Sequence, residues 1–422
     1  MLTREENDLL CQVGPATAMG QMLRQYWTPA LRGAQLEADG APVRVRLLGE
    51  NFVAFRATDG RVGFFDEGCP HRCTSLALAR NEDNALTCIF HGWKIDVSGK
   101  VVEVPSEPPE RRAEFAAKVR VAHHPVREAG GIVWVYLGAR TEPPPFFNFE
   151  FTRLPADHVI ARRAMVHANW FQGFEGVLDS AHLGQLHQGW IRDDAGNVGI
   201  VNDIQLSNAS SGPTFEFLER PYGFREGALR DLPDGLRYAR IREVVYPYFA
   251  FIPTQPGHEC ATIFSIPIDD YWCYQWYVVY HPDHPLSTEE AKWGTHFLDP
   301  SDDPNNFCAA LGDVDNLWHQ DRAAMKAGHW SGLMHSVPWE DFAIQEAMTP
   351  VVDRSREYLG SSDSVIIRVR RTLIEGARAF AQGKPAPGLA QPVDYSRIRA
   401  LSVKFPPQRS WRELSAFDAP RP

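Results

Sequence analysis

No stretch of 18 or more apolar residues occurs in the 422-residue chain, and the aromatic run Tyr271 to Tyr280 is too short to cross a bilayer. The first residues, Met1-Leu2-Thr3-Arg4-Glu5-Glu6, have no apolar h-region, so no signal peptide is expected. Cysteine is scarce: seven residues (Cys11, Cys69, Cys73, Cys88, Cys260, Cys273, Cys308), odd in number and widely scattered, which excludes a disulfide-stapled secreted scaffold and points to a reducing cytoplasm. Basic charge is also in deficit. Lys and Arg total 43 against 53 Asp and Glu, a net charge of −10, so the basic stripe of a nucleic-acid binder is missing. Internal repeats and low-complexity tracts are absent too. What remains is a water-soluble chain with 44% hydrophobic residues, long enough for two or three cored domains.

The texture changes along the chain. Residues 1–40 read as helical, with Thr3 and Glu6 as a capping pair and an amphipathic stretch through Met22 to Trp27. Residues 41–145 turn to short alternating runs, among them Val43 to Leu48, Phe52 to Arg56 and Ile132 to Leu137, with Asp59-Gly60 and Ser98-Gly99 as turns. This predicts a small all-β domain closed by the linker Pro143-Pro144-Pro145. Residues 146–422 read as a larger α+β domain. A helix is expected from Asn169 to about Gly184. Strands are expected at Phe215–Leu218, Arg237–Ile241, Val244–Ile252, Ala261–Ile268 and Trp272–Tyr280, forming an antiparallel sheet. Helices are expected again at Asn305–Lys326, Ala343–Leu359 and Asp363–Gln382, then an irregular tail after Pro385.

Two mixed Cys/His pairs stand in the small domain: Cys69-Pro70-His71 and Cys88-Ile89-Phe90-His91, with sixteen residues between His71 and Cys88. Two thiolates for one iron and two imidazoles for the other are what a Rieske-type [2Fe–2S] cluster requires, and neutral histidine raises the potential of such a cluster. A structural zinc site would also accept two Cys and two His, but zinc fingers place Cys-x2–4-Cys first and the histidines later.

About eighty residues on, Glu175, Asp179 and His182 recur at i, i+4 and i+7, on one face of the expected helix, and His187 lies just past Gly184. Two histidines and one carboxylate with open positions make the facial triad of non-haem Fe(II) oxygenases. Alone, Asp-x-x-His-x4-His is a weak pattern that a polar helix face also satisfies; downstream of the paired Cys/His loops it gains weight.

The first loops closely resemble the Rieske domain of ring-hydroxylating oxygenases. Respiratory Rieske proteins carry an extra Cys in each loop; here Cys73 follows the first pair, but Ile89 and Phe90 leave it no partner in the second, which implies the lower-potential oxygenase type. Nearly the whole chain resembles the catalytic (alpha) component of Rieske non-haem iron oxygenases, in the phthalate 4,5-dioxygenase-like branch that includes aryl O-demethylases. The resemblance implies that His182 and His187 bind a mononuclear Fe(II). It makes Asp179 a bridge linking His182 to His91 of a neighbouring subunit, with Glu175 in a supporting role. The third iron ligand would come from a late helix. Candidates are Asp313, Asp315, Asp321 and Asp341; the run Glu340-Asp341 to Asp353-Arg354 resembles the branch's own, with Glu340 where Gln is usual and Thr349 where Gly is usual. It favours Asp341, with Asp321 as runner-up.

The same resemblance implies O2 as co-substrate, NAD(P)H electrons delivered by a flavin/iron–sulfur reductase or a ferredoxin, and a homotrimer. It also implies an aromatic substrate, an aryl carboxylate foremost, that is hydroxylated or O-demethylated. A carboxylate calls for arginine in an aromatic-lined pocket. Arg225, Arg237, Arg240 and Arg242 lie in the strand region, Arg225 and Arg240 being the two selected, beside Tyr246, Tyr248, Phe249, Phe251, Trp272, Tyr274 and Trp276. Two other classes stay open from the residues: a non-catalytic Rieske electron-transfer protein, and a zinc-stabilised binding module.

Overall fold

The computed structural model describes residues 1–190, 206–207, 212–296, 298–299 and 301–417. The chain forms two compact units, Arg24–Phe146 and a second made of Met1–Leu23 with Phe147–Pro422.

The smaller unit is built from antiparallel strands. β1 (Trp27–Arg32), β10 (Ile132–Tyr136) and β9 (Val126–Ala129) form one sheet, and β2 (Val43–Leu47), β3 (Glu50–Arg56) and β4 (Val62–Asp66) a second. β5 (Arg80–Glu82), β6 (Ala85–Thr87), β7 (Lys94–Asp96) and β8 (Val101–Glu103) form the third. One helix, α3 (Arg112–Lys118), accompanies them. Alternation works as expected: the inward residues of these strands, including Val53, Phe55, Phe65, Leu86 and Ile95, join Trp93 and both loop cysteines, Cys69 and Cys88, in one buried cluster. The N-terminal segment divides where it was expected to stay helical to residue 40. α1 (Arg4–Cys11), with its Thr3/Glu6 capping box, and α2 (Ala18–Leu23) belong to the larger unit. Trp27–Arg32 instead pairs with Ile132–Tyr136, because two β-type runs can satisfy each other's backbone groups there.

The larger unit is an eight-stranded antiparallel sheet in the order β11 (Val159–Val166), β17 (Cys273–Tyr280), β16 (Cys260–Pro267), β15 (Phe249–Ile252), β14 (Arg237–Val245), β13 (Gly223–Asp231) and β12 (Thr214–Arg220). β18 (Leu401–Phe405), from the tail expected to be irregular, pairs with Arg237–Ile241 of β14, while β15 takes up Glu243–Val245. The expected strand Val244–Ile252 is two strands, parted at Tyr246-Pro247, where proline offers no N–H to a ladder. The expected helix Asn305–Lys326 is mostly turns. Asp303, Asp313 and Asn316 accept backbone N–H groups there; a short 3-10 turn covers Leu317–His319, and only α6 (Arg322–Lys326) is α-helical. α7 (Val337–Ala347) starts six residues before the expected Ala343, where the Ser336 side chain accepts from Trp339 N–H and Pro338 fills the first turn. It ends before Thr349, whose φ is +76°. α8 (Ser364–Ala381) packs against α1 and α2.

Candidate functional site

In the smaller unit the two Cys/His loops are near copies of each other. Cys69 N–H donates to Thr74 O and Cys73 N–H returns to Cys69 O; Cys88 N–H donates to Trp93 O and Gly92 N–H returns to Cys88 O, all at 2.8–2.9 Å. Each loop turns its corner at a left-handed residue, Cys73 (φ +58°) in one and Gly92 (φ +72°) in the other. Cys73 is therefore a corner residue with an exposed free thiol. Both ligand-type thiols are buried, and the Nδ1 atoms of His71 and His91 face each other at 3.1 Å. The His71 ring stacks on Trp93 with centroids 4.6 Å apart. Slight burial and the positive charges of His71 and Arg72 lower the pKa of His91 and favour its neutral form. Two buried sulfurs and two convergent Nδ1 atoms are the donor set a Rieske cluster takes.

The second constellation is set by a helix that breaks. α4 (Trp170–Leu178) starts at Asn169, whose side chain accepts Phe171 N–H. It lies so close to the sheet that a Cβ on Gly173 would stand 1.7 Å from Gln275 Nε2, and one on Gly176 would stand 2.8 Å from Gln345 Nε2 of α7. The expected continuous helix to Gly184 does not form. Asp179 is extended (φ −74°, ψ 114°) and its carboxylate accepts Ala181 N–H at 2.7 Å, a local bond that competes with the helix. The chain restarts as α5 (His182–Leu186). Hence Glu175 does not share a face with Asp179 and His182. Its carboxylate is held instead by Arg354 (Nη2 at 2.6 Å) and Arg370 (Nε at 2.5 Å), away from the histidines.

His182 Nε2 and His187 Nε2 lie 3.5 and 3.2 Å from the same Asp341 oxygen. Asp179 Oδ2 stands 3.4 Å behind His182 at Nδ1. Among the described residues, His182, His187 and Asp341 can bring one ligand atom each within 4.8 Å of one another. Burial alone would lower both histidines; the Asp179 and Asp341 carboxylates outweigh it and raise His182 to about 10, and Asp341 with Glu340 raises His187. Burial would raise Asp341, but the two imidazoles hold it well below the usual carboxylate range. Two imidazoles and one carboxylate converging on one point fit a non-haem iron.

The other carboxylates do not join this group. Asp321 is exposed and caps α6, accepting Ala323 and Ala324 N–H. Asp313 and Asp315 are exposed in a turn. Arg225 is corrected as well: it pairs with Glu243 directly across the strand at 2.9 Å, on the sheet face opposite to Arg240 and Arg242, because successive strand residues alternate. Arg237 pairs with Asp231. Arg240 and Arg242 both donate to Ser180 Oγ, Arg242 also to Glu226 at 2.9 Å. Both line a cavity with Asp179, His182, His187 and Asp341, walled by Ile252, Ile263 and Tyr277. The sequence reading missed Tyr277, His296 and Glu340. His296, in the same cavity, is held to about 4 by burial and stays neutral. Glu340, fully buried, accepts from His187 Nδ1 at 2.6 Å and from Trp190 Nε1 at 3.0 Å, and takes a bond from Ser331 Oγ. Only its place beside Asp341 could have flagged it.

Residues 26–125 match the Rieske [2Fe-2S] domain, and residues 135–420 match the LigXa C-terminal domain like family. The phthalate 4,5-dioxygenase oxygenase subunit of Pseudomonas putida is 36% identical over 99% of this chain and 95% of its own length. The chain belongs to the Rieske non-haem iron oxygenases. The 5,5'-dehydrodivanillate O-demethylase oxygenase subunit of a Sphingobium species is 28% identical over 91% of this chain and 82% of its own. Among solved structures, the NdmA QL mutant of Pseudomonas putida CBB5 with caffeine shares the fold, with a TM-score of 0.60 at 18% identity, covering 89% of this chain and 98% of that one. The protein is thus the oxygenase subunit of a multicomponent system that uses a Rieske cluster, mononuclear iron and O2, with electrons from NAD(P)H through an electron-transfer partner. Matches to oxygenase subunits along the whole chain set aside the zinc module and the non-catalytic electron carrier.

Proposed function

We propose that this oxygenase acts on an aryl carboxylate, hydroxylating the ring or removing an O-alkyl group. Cys69, His71, Cys88 and His91 would hold the cluster, and His182, His187 and Asp341 the mononuclear iron. When bound, these groups supply single electrons and O2 activation. The convergence of His182, His187 and Asp341 on one point carries the reading. Around that point the chain's own groups have separate tasks. Asp179 orients the His182 ring through its Nδ1 side and, being a quarter exposed, is available to the His91 edge of a second copy; the family resemblance makes a homotrimer the expected working form. Arg240 offers a guanidinium to a substrate carboxylate, and Ile252, Ile263 and Tyr277 offer apolar surface to a ring. His296, kept neutral, supplies a polar contact without a second positive charge.

The cavity holds about 50 Å³, whereas a cavity of about 150 Å³ takes benzene. Admitting an aromatic substrate therefore requires wall residues to move. A flavin/iron–sulfur reductase or a ferredoxin in the cytoplasm is the proposed electron source. The assignment is tested by Asp341→Ala beside Asp321→Ala. The first should lose the mononuclear iron while the Rieske visible spectrum persists; the second should keep both. Wild-type iron content in Asp341→Ala would refute the ligand set. Oxygen uptake across aryl acids and their uncharged analogues then tests the substrate class.

A further inference from the structure

Two consecutive residues of α7 grip the same imidazole from opposite sides. Asp341 Oδ1 stands 3.2 Å from His187 Nε2, and Glu340 Oε2 stands 2.6 Å from His187 Nδ1. Neighbours on a helix point about 100° apart, so one can face the cavity while the other reaches behind the ring. The Glu340 side chain has no exposure and that of His187 has 1%, so no water can substitute for this contact. The other partners of Glu340 fix which atom donates in this contact. Trp190 Nε1 can only donate, and it takes one lone pair of Oε2 at 3.0 Å. Ser331 Oγ donates to Oε1 while itself accepting Leu333 N–H at 3.1 Å. With both oxygens accepting, the remaining Oε2 lone pair calls for a proton on His187 Nδ1.

We infer that Glu340 is a positioning residue for the mononuclear metal: it fixes His187 in the tautomer whose Nε2 lone pair faces the metal position, and it places a buried negative charge behind that ligand. The inference rests on the reading of His187 as an iron ligand. Hydrogen-bonding a ligating imidazole to a carboxylate raises its basicity as well as orienting it. His182 has the same kind of partner in Asp179, but at 3.4 Å and with the carboxylate a quarter exposed, so the Glu340 contact is the shorter and the drier of the two. His187 is accordingly the better-anchored ligand, and the Glu340 charge acts on metal affinity rather than on substrate.

The test uses the full-length protein with its Rieske cluster intact and the mononuclear metal removed, titrated with Co2+ in equilibrium dialysis. Glu340→Gln keeps the shape and removes the charge; Co2+ affinity should fall about 10–100-fold. Ser331→Ala removes one hydrogen bond from the same carboxylate but keeps its charge and its bond to His187, and its affinity should match the parent. The electron spin resonance signal of bound Co2+, read with the cluster oxidised, should change in the first variant and not in the second. Unchanged affinity in Glu340→Gln, or equal losses in both variants, overturns the inference. A His187→Ala variant that still binds Co2+ like the parent overturns the iron-site reading itself; loss in His187→Ala with an unaffected Glu340→Gln overturns only the role of Glu340.

Discussion

Glu175→Gln should destabilise the catalytic unit while leaving the chemistry nearly intact. Glu175 is the shared anion of a buried cluster. Arg354 reaches it with Nε at 3.2 and 3.1 Å and Nη2 at 2.6 Å, and Arg370 with Nε at 2.5 Å. The two guanidiniums are not equally dependent on it. Arg370 also has Glu357 at 2.6 and 3.2 Å. Arg354, with no exposure, would keep only Asn7 Oδ1 at 3.1 Å, Cys11 Sγ at 3.2 Å and the face of Phe171. Stranding one buried charge costs about 3–5 kcal/mol. Counting Arg354 in full and Arg370 hardly at all puts the loss near the lower end, about 3 kcal/mol, or roughly 6 °C in the melting of a domain this large. Calorimetry would read the shift, with the cluster's visible absorbance reporting the smaller unit separately. The double variant Glu175→Gln/Arg354→Met removes the stranded charge as well and should recover much of the loss. At low temperature Glu175→Gln should keep its mononuclear iron and most of its turnover. An unshifted transition would refute the stability argument. Lost turnover in a protein that melts like the parent would return Glu175 to a catalytic role.

Asp179→Asn should retain both metals yet lower turnover by about 10–100-fold; near-normal activity would remove Asp179 from the bridge. Arg240→Gln should raise KM for an aryl carboxylate about 10–100-fold, the worth of one charged hydrogen bond, and leave KM for an uncharged analogue unchanged in steady-state assays. Metal binding should depend on pH in a specific direction. The Asp179 and Asp341 carboxylates, against the opposing effect of burial, hold metal-free His182 protonated up to about 10. A metal needs the neutral ring, so it competes with a proton at every lower pH and its affinity should climb between about pH 7 and 9. An ordinary imidazole, at about 6.5, would already be neutral there. A plateau above pH 7.5 in Co2+ dialysis would refute the raised value.

What was legible in the chain was the chemistry that depends on residue type. Cys69, His71, Cys88 and His91 were found by spacing because few other residues can ligate an iron–sulfur cluster, and β2 by alternation because one of its faces is buried. Asp341 was found only by resemblance, since a ligand contributed by a distant helix leaves no local pattern. The helix break at Asp179 was missed because an i, i+4, i+7 pattern survives when the chain stops and restarts. Asp303, Asp313 and Asn316 misled for the opposite reason: polar side chains bonding their own backbone replace a helix that composition allows. Two signals were present and unused. Ser336 followed by Pro338 marks the start of α7, and the alternation Leu401-Ser402-Val403-Lys404-Phe405 marks β18.

β18 has a consequence for how the protein is made. The central strand β14 stays half unpaired on one side until residues 401–405 arrive, and α1 and α2 wait for α8, which spans residues 364–381. The smaller unit needs only residues 24–146. During synthesis it can finish early, while the first 23 residues stay unassembled until almost the whole chain has been translated. A ribosome stalled before residue 400 would therefore carry a complete cluster-binding unit and a catalytic sheet with an open edge, the state in which this chain is most exposed to aggregation.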